Sequence, residues 1–438
     1  MQFANRRKGR IASTFGGNLR GSPGRFALRR VLLAMVAVAA NGCIWAAAAA
    51  DPDIPAIMRL TVDSWVAPSQ AGDFLPYGFD FMTDQPIEPD RISPANLIRQ
   101  ATAAAALANY YDYTKDTRGR DRVRRTLLAF GRLSLPIGKT RTQRFIEATR
   151  ILSLPVGRWK LKAALDRFGL LYRPSGDGKV VSPNGNYADA LVGTVALALL
   201  TELTYARASD DASFAGLRAA WLDGLLGLRI PGGGFRQDPL AIDDSDYGNG
   251  EAWLALAVHG DMHPDDLRAM NALSDLDDTL MRRYFEKPSV MFLGWGGMAA
   301  AQRYRTTHDP KFLAFLRQLS DEFVERFQSR LRAEGNNCAA MEGIASMVAA
   351  LQHSGEKNTD RMRFMLDWLS REVAKLEKLQ IKPGQQRLPL GGSAYLAAPR
   401  MAEYAGGFLA GIYEPLTRVD AAGHCLSAMV IIERNQLF

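Results

Sequence analysis

The chain has 438 residues, 47% of them hydrophobic, enough for one large domain or two ordinary ones with a sizeable core. Its formal charge of +8 suggests affinity for phosphate or membranes, but residues 1–50 hold eight Lys and Arg and no acid. The remainder balances at 46 basic against 46 acidic residues, so the global charge gives the body no reason to bind nucleic acid.

Residues 1–50 read as a signal peptide or signal anchor. An Arg-rich start is followed by the apolar run Val31–Ala50, with Ala-x-Ala-like sites before Asp51. The run of about 20 residues also suits an uncleaved anchor, and "ANGC" ending at Cys43 is a weak lipidation signal. Export to the periplasm or outside the cell is the expectation, with membrane contact only through this segment. Two further cysteines remain, Cys338 and Cys425. They can pair in an oxidising compartment or stay as buried thiols, and their spacing does not choose.

Residues 51–92 are expected to be an extended N-terminal segment, and 93–438 a single helical domain. From Ser93 a pattern begins: an Ala/Leu-rich helix, a Tyr-rich turn, then a charged helix running back to Ser134. It recurs over Tyr187–Leu228 and Gly294–Phe327, with aligned turns "YDYTKD", "YARASD" and "YRTTHD". Degenerate copies occupy Gly250–Phe285 and Cys338–Leu379, and a poorer one Thr142–Gly169; a last apolar helix spans Ala422–Arg434. Turns about 45–55 residues apart mean one helical hairpin per repeat. In each hairpin the first helix is apolar nearly all round and belongs inside; the second carries a charged face and belongs outside. Inner helices ringed by outer ones make an all-α (α/α)-toroid of about six hairpins, with an open solenoid as the rival. Sustained strand alternation is absent.

Small-residue inner helices, these turns and glycine-rich returns such as "PGGGF" (Pro231–Phe235) resemble the six-hairpin (α/α)-barrel superfamily. That group includes glycoside hydrolases, polysaccharide lyases, sugar epimerases and, more distantly, terpenoid cyclases. The resemblance covers about Ser93–Arg434 and speaks for architecture, not for one chemistry. It implies a pocket at one end, lined by the loops that lead into the inner helices. Those loops are "SPNGNYAD" (Ser182–Asp189), "DDSDYGNGEAW" (Asp243–Trp253), "FLGWGG" (Phe292–Gly297), "EGNNCAAMEG" (Glu334–Gly343) and the stretch Glu403–Cys425.

In "DDSDYGNGEAW", neighbouring carboxylates raise one another's pKa and can keep one protonated as a general acid. Glycosidic cleavage needs such an acid and a second carboxylate, roughly 5–10 Å away across the sugar. Asp244, Asp246, Glu251 and Glu342 are the catalytic candidates. The plainer alternative for this stretch is capping, with Asn249 as the cap and Glu251 in the first turn, where the helix N-terminus favours its anion. Glu342 lies on an otherwise small and apolar helix, so it needs a partner or must face a cavity, and the cavity is the expectation. Asn184, Tyr187, Tyr247, Trp295, Asn337 and Tyr404 are expected to shape sugar subsites, the aromatics by stacking. Arg418 and His424 are expected to bind acidic groups, with Asp420 and His424 on one helical face. Arg400 and Glu403 fall in the same stretch.

Neither a metal nor another cofactor is expected. "DDSD" completes neither acidic magnesium motif of the terpenoid synthases, the calcium pattern fails at Gly248, and His259 and His263 flank a turn. Cys338 with His424–Cys425 does not match the zinc order of lanthionine cyclases. The expectation is therefore an exported carbohydrate-active enzyme cleaving an oligo- or polysaccharide, glycoside hydrolase-like. The alternatives are a polysaccharide lyase or sugar C5-epimerase, or a non-catalytic toroid of envelope assembly or polysaccharide export; a terpenoid cyclase would show a dry aromatic cavity with Asp243–Asp246 at its rim.

Overall fold

The computed structural model describes residues 52–67, 72–87, 93–137, 178–241, 243–391 and 393–438. The signal peptide or anchor expected over residues 1–50 and the hairpin expected over Thr142–Gly169 lie outside the described residues. Pro52–Phe438 forms one compact unit.

Among the described residues six helices form the inner layer: α2 (Pro94–Thr114), α4 (Val192–Ser209), α6 (Asp246–Met262), α8 (Val290–Thr307), α10 (Cys338–His353) and α12 (Val419–Asn435). Each packs on the next, and α12 packs back on α2, so the ring closes and the open solenoid is ruled out. Outer helices follow five of them: α3 (Thr117–Arg132), α5 (Ala215–Gly227), α7 (Leu267–Glu286), α9 (Pro310–Glu322) and α11 (Asp360–Leu379). The layering follows from the residues. Every side chain from Val192 to Tyr205 is buried in α4, and every residue from Gly248 to Gly260 in α6. The outer α7 instead buries one stripe, Ala269, Ala272, Leu273, Leu276, Leu280 and Tyr284, at helical spacing.

One element departs from expectation. Residues Ile54–Val66 are a helix, α1, not part of an extended segment. Asp53 caps it by accepting from the Ala56 amide, Pro55 stands in its first turn, and Ile54, Ile57, Met58, Thr61, Val62 and Trp65 make one buried face. That face lies against α12 and α3, giving the last inner helix an outer neighbour.

Short strands appear where the sequence shows no alternation. β1 (Gly78–Asp80), β2 (Gln85–Pro86), β7 (Leu409–Gly411) and β8 (Glu414–Arg418) form an antiparallel sheet ordered β2-β1-β8-β7. β3 (Ser134–Pro136) pairs with β4 (Lys179–Val181), and β5 (Arg387–Gly391) with β6 (Ala394–Ala397). They are two to five residues long, too short to display a period of two. Their use is positional: β8 runs directly into α12, with Gly78 opposite Arg418.

Between helices, Trp253 of α6 is fully buried, stacks on Phe292 and donates to Asp277 of α7 at 2.7 Å. Arg303 of α8 grips the same carboxylate at 2.7 and 2.9 Å. Trp253 therefore belongs to the core. Among the described residues no helix is long and apolar enough to cross a membrane.

Candidate active site

The first two turns of the inner helices bring ionisable side chains together at one end of the ring. Ser245 caps α6, accepting from the Gly248 amide, so the helix begins at Asp246. Asn249 is therefore inside the helix, where its side chain accepts from the Phe235 amide at 2.7 Å. This earlier start puts Glu251 in the second turn, beyond the reach of the helix terminus. There it is 1% exposed, and neither carboxylate oxygen has a hydrogen-bond partner. Burial pushes its pKa well above the ordinary value and so disfavours the anion that a first-turn position would favour. The neighbouring α4 makes room with Gly193, where a Cβ would fall 1.9 Å from Glu251 Oε2.

Tyr247 lies one turn before Glu251 on the same helix face. Burial raises its pKa, and Glu251, Glu342 and Asp420 push the same way, in that order. Three carboxyl groups from three inner helices thus act on one phenol. Its ring meets Trp295 of α8 edge-on at 6.5 Å, and Trp295 lies 5.8 Å from His424 of α12.

Glu342, in the second turn of α10, has a partner where a cavity was expected: His424 Nδ1 lies 2.5 Å from its Oε2. Both side chains are almost fully buried. Burial alone would lower the pKa of His424, but the charge and hydrogen bond of Glu342 override it and raise the pKa. One turn earlier on α12, Asp420 takes Arg99 of α2 at 3.2 Å and Arg418 at 3.1 Å on the same oxygen. Its other oxygen and Arg418 Nε are buried without a partner. Cys338 and Cys425 form a disulfide with Cα atoms 4.7 Å apart, which ties together the starts of α10 and α12.

A cleft of about 70 Å³ adjoins this cluster, lined by Trp65, Tyr77, Glu403, Tyr404, Arg418 and Ala422 among others. Tyr404 packs on Phe79 and Phe81 beside it. The expected pair Tyr404 and Arg418 therefore meets in one cleft. Arg400 instead pairs with Glu403.

Other candidates lie elsewhere. Asp244 is gripped through both oxygens by Arg283 of α7, and Asp246 accepts from Arg283 and from the Tyr284 hydroxyl. Burial works against the Asp244 anion, but the Arg283 hydrogen bond and charge prevail and hold its pKa below the ordinary value. These two carboxylates tie the start of α6 to an outer helix. Asn184 donates to Asp189 at 2.8 Å and accepts from the Asn186 amide, so it shapes its own loop. Tyr187 stands on a 3₁₀ turn before α4 and donates to the Pro136 carbonyl at 2.9 Å. Asn337 is held by Glu372 of α11 and the Arg332 carbonyl. His259 and His263 sit at the far end of α6, where His259 contacts Asp266 at 3.2 Å. Among the described residues no group of three metal-ligating side chains forms. Sequence reasoning passed over Arg99, although a lone cation on an Ala-rich inner helix is the same signal that singled out Glu342.

No protein-family model matches the sequence, and neither does any curated protein. Solved structures do match. An unsaturated glucuronyl hydrolase specific for heparin superposes with a TM-score of 0.53 at 11% identity, over 87% of this chain and 98% of its own. An inactive variant of the GH76 α-1,6-mannanase of Salegentibacter sp. HEL1_6, in complex with α-1,6-mannotetraose, gives 0.51 at 10% identity, over 88% and 100%. The fold is that of the (α/α)-toroid glycosidases. The same mannanase without the substitutions gives 0.50 at 9% identity, over 87% and 100%. At these identities the likeness establishes the toroid and not a specific family within it.

Proposed function

We propose that this (α/α)-toroid chain is an exported glycoside hydrolase-like enzyme that acts on an acidic oligo- or polysaccharide at the end of the ring where the inner helices begin. The observation that carries the reading is the buried Glu342–His424 pair, 2.5 Å apart, beside an Asp420 shared by two arginines. Such a cluster costs desolvation energy that an apolar core of the same volume would not. Its retention suits a site that must handle charge. The glycosidase relatives of the fold, one of them a glucuronyl hydrolase, support the substrate class.

In this reading the cleft beside Tyr404 and Arg418 receives the sugar. Arg99 and Arg418 exchange Asp420 for a carboxylate or sulfate of the substrate, a forked geometry that guanidinium favours. Glu251, whose anion is disfavoured by burial, is the proton donor to the leaving oxygen. Glu342, oriented by His424, is the opposing carboxylate. Asp244 and Asp246 hold the α6 start in place and do no proton chemistry. The disulfide, together with the apolar leader, supports an oxidising, exported location.

A second reading has an observation behind it. Glu251 and Glu342 are only 1% and 2% exposed, which favours a non-catalytic toroid that binds polysaccharide without cleaving it. One panel separates the two. The full chain is incubated with uronate-containing, sulfated, manno- and cello-oligosaccharides, and new reducing ends and new C=C absorbance are followed alongside binding. New reducing ends from an acidic glycan support hydrolysis. C=C absorbance would transfer the site to elimination chemistry, and binding without turnover would sink the enzymatic reading.

A further inference from the structure

The opposite end of the ring, where the inner helices finish, holds a cavity of about 180 Å³. Its walls come from all six inner helices. Its inner wall is apolar, with Leu200, Leu254, Met298 and Val430. Its rim is cationic: Arg207, Arg305 and Arg434 come from the last turns of α4, α8 and α12, every second helix of the ring. None of the described residues that line it is a carboxylate.

A cation in the last turn of a helix is ordinary, since the terminal carbonyls favour it. The convergence of three on one cavity is not explained that way, because like charges raise one another's cost. Arg207 and Arg434 share a single acid outside the cavity, Asp112, each at 3.1 Å. Arg305 has no ion pair among the described residues, and its hydrogen-bond partner is the neutral amide of Gln302. Gln302 in turn donates to Asp261 at 3.1 Å, so that acid is one residue removed from the cation. Burial, with Arg207 and Arg434 adding to it, lowers the pKa of Arg305, while Asp261 and Asp112 oppose the shift. Arg305 is nonetheless exposed as a residue, and it lines the cavity.

We propose that this cavity binds a small amphiphilic anion. Its phosphate, sulfate or carboxylate head would be held by Arg305 with Arg207 and Arg434, and its apolar body would lie along Leu200, Leu254, Met298 and Val430. The site is separate from the Glu342–His424 cluster and does not depend on what that cluster does. An anion here supplies the charge that the protein leaves out, and it relieves repulsion among the three guanidinium groups.

Calorimetric titration of the full chain with octyl phosphate, below its micelle concentration and at low salt, tests the proposal. Saturable one-to-one binding with a Kd tighter than about 1 mM is expected. Inorganic phosphate and glucuronate, which lack the apolar body, are expected to bind at least about tenfold more weakly. The Arg305→Gln variant, altered at an exposed residue, should lose about tenfold in affinity. Its melting temperature without ligand should stay level or rise. Ala349→Leu, on the cavity wall, should weaken octyl phosphate while sparing inorganic phosphate. Absence of saturable binding, equal affinity in Arg305→Gln, or glucuronate binding as tightly as octyl phosphate would each overturn the proposal. A fall in the melting temperature of ligand-free Arg305→Gln would also count against it, as Arg305 would then serve only its own helix end.

Discussion

Glu251 and Glu342 are both buried carboxyl groups on inner helices, and their surroundings give them opposite characters. Glu342 has an imidazole 2.5 Å away, whereas Glu251 has no hydrogen-bond partner and burial disfavours its anion. The folded pKa of Glu251 is raised, so its contribution to stability is complete below the ordinary value near 4.5. That contribution declines as pH rises toward the folded value, because the unfolded chain ionises first. Glu251→Gln should therefore raise the melting temperature at pH 8 by several degrees and change it little at pH 4, as a thermal scan across pH would register. The same elevation predicts that turnover falls with rising pH as the donor loses its proton. His424 is also raised, through Glu342. Its stabilisation is complete below about pH 6.5 and disappears as pH climbs through the folded value. Glu342→Gln should flatten that part of the stability profile.

At the scale of elements, the site depends on how the inner helices are fixed to their neighbours. Asp244 and Asp246 anchor the start of α6 to α7 through Arg283 and Tyr284. Arg283 is more than a third exposed, so solvent screens the pair, and Asp244→Asn should cost only about 1 kcal/mol in a denaturant titration. The disulfide closes a span of 87 residues between α10 and α12, the two helices that carry Glu342 and His424. Its reduction should cost about 2–4 kcal/mol, and unfolding curves with and without reductant would measure that loss. Activity should fall with it, since Cys338 stands one turn before Glu342 and Cys425 directly after His424.

Much of this organisation was legible in the sequence, and the reasons differ by element. The described hairpins were visible because an all-apolar helix followed by an amphipathic one is a strong periodic signal. α1 escaped notice because it is short and stands apart from the repeat, although Asp53, Pro55 and its buried stripe announce a helix. Glu342 was legible as a charge on an apolar face. The part played by Asp244 and Asp246 was not, because adjacent carboxylates look alike whether they face a substrate or an arginine 37–39 positions on. The pairing of Cys338 with Cys425 required the ring to close before their starts could meet.

At the scale of the molecule, closure of α12 onto α2 makes every inner helix a neighbour of two others. A fully buried residue such as Trp253 should therefore weaken the whole unit when truncated. Trp253→Ala is expected to cost about 3–5 kcal/mol, also because it removes the indole donor from the buried Asp277. The two ends of the ring differ in chemistry: a buried cluster of carboxyl groups, an imidazole and paired arginines where the helices begin, and a cavity rimmed by three arginines with no carboxylate among its described lining residues where they end. The central claim concerns the first end, and one measurement tests it most directly. The turnover of wild-type protein and of Glu342→Gln is compared on the best acidic oligosaccharide, with melting temperatures recorded in parallel. The account predicts a loss of about 10²–10⁴ in rate with the fold intact. Equal rates in the two proteins would contradict it.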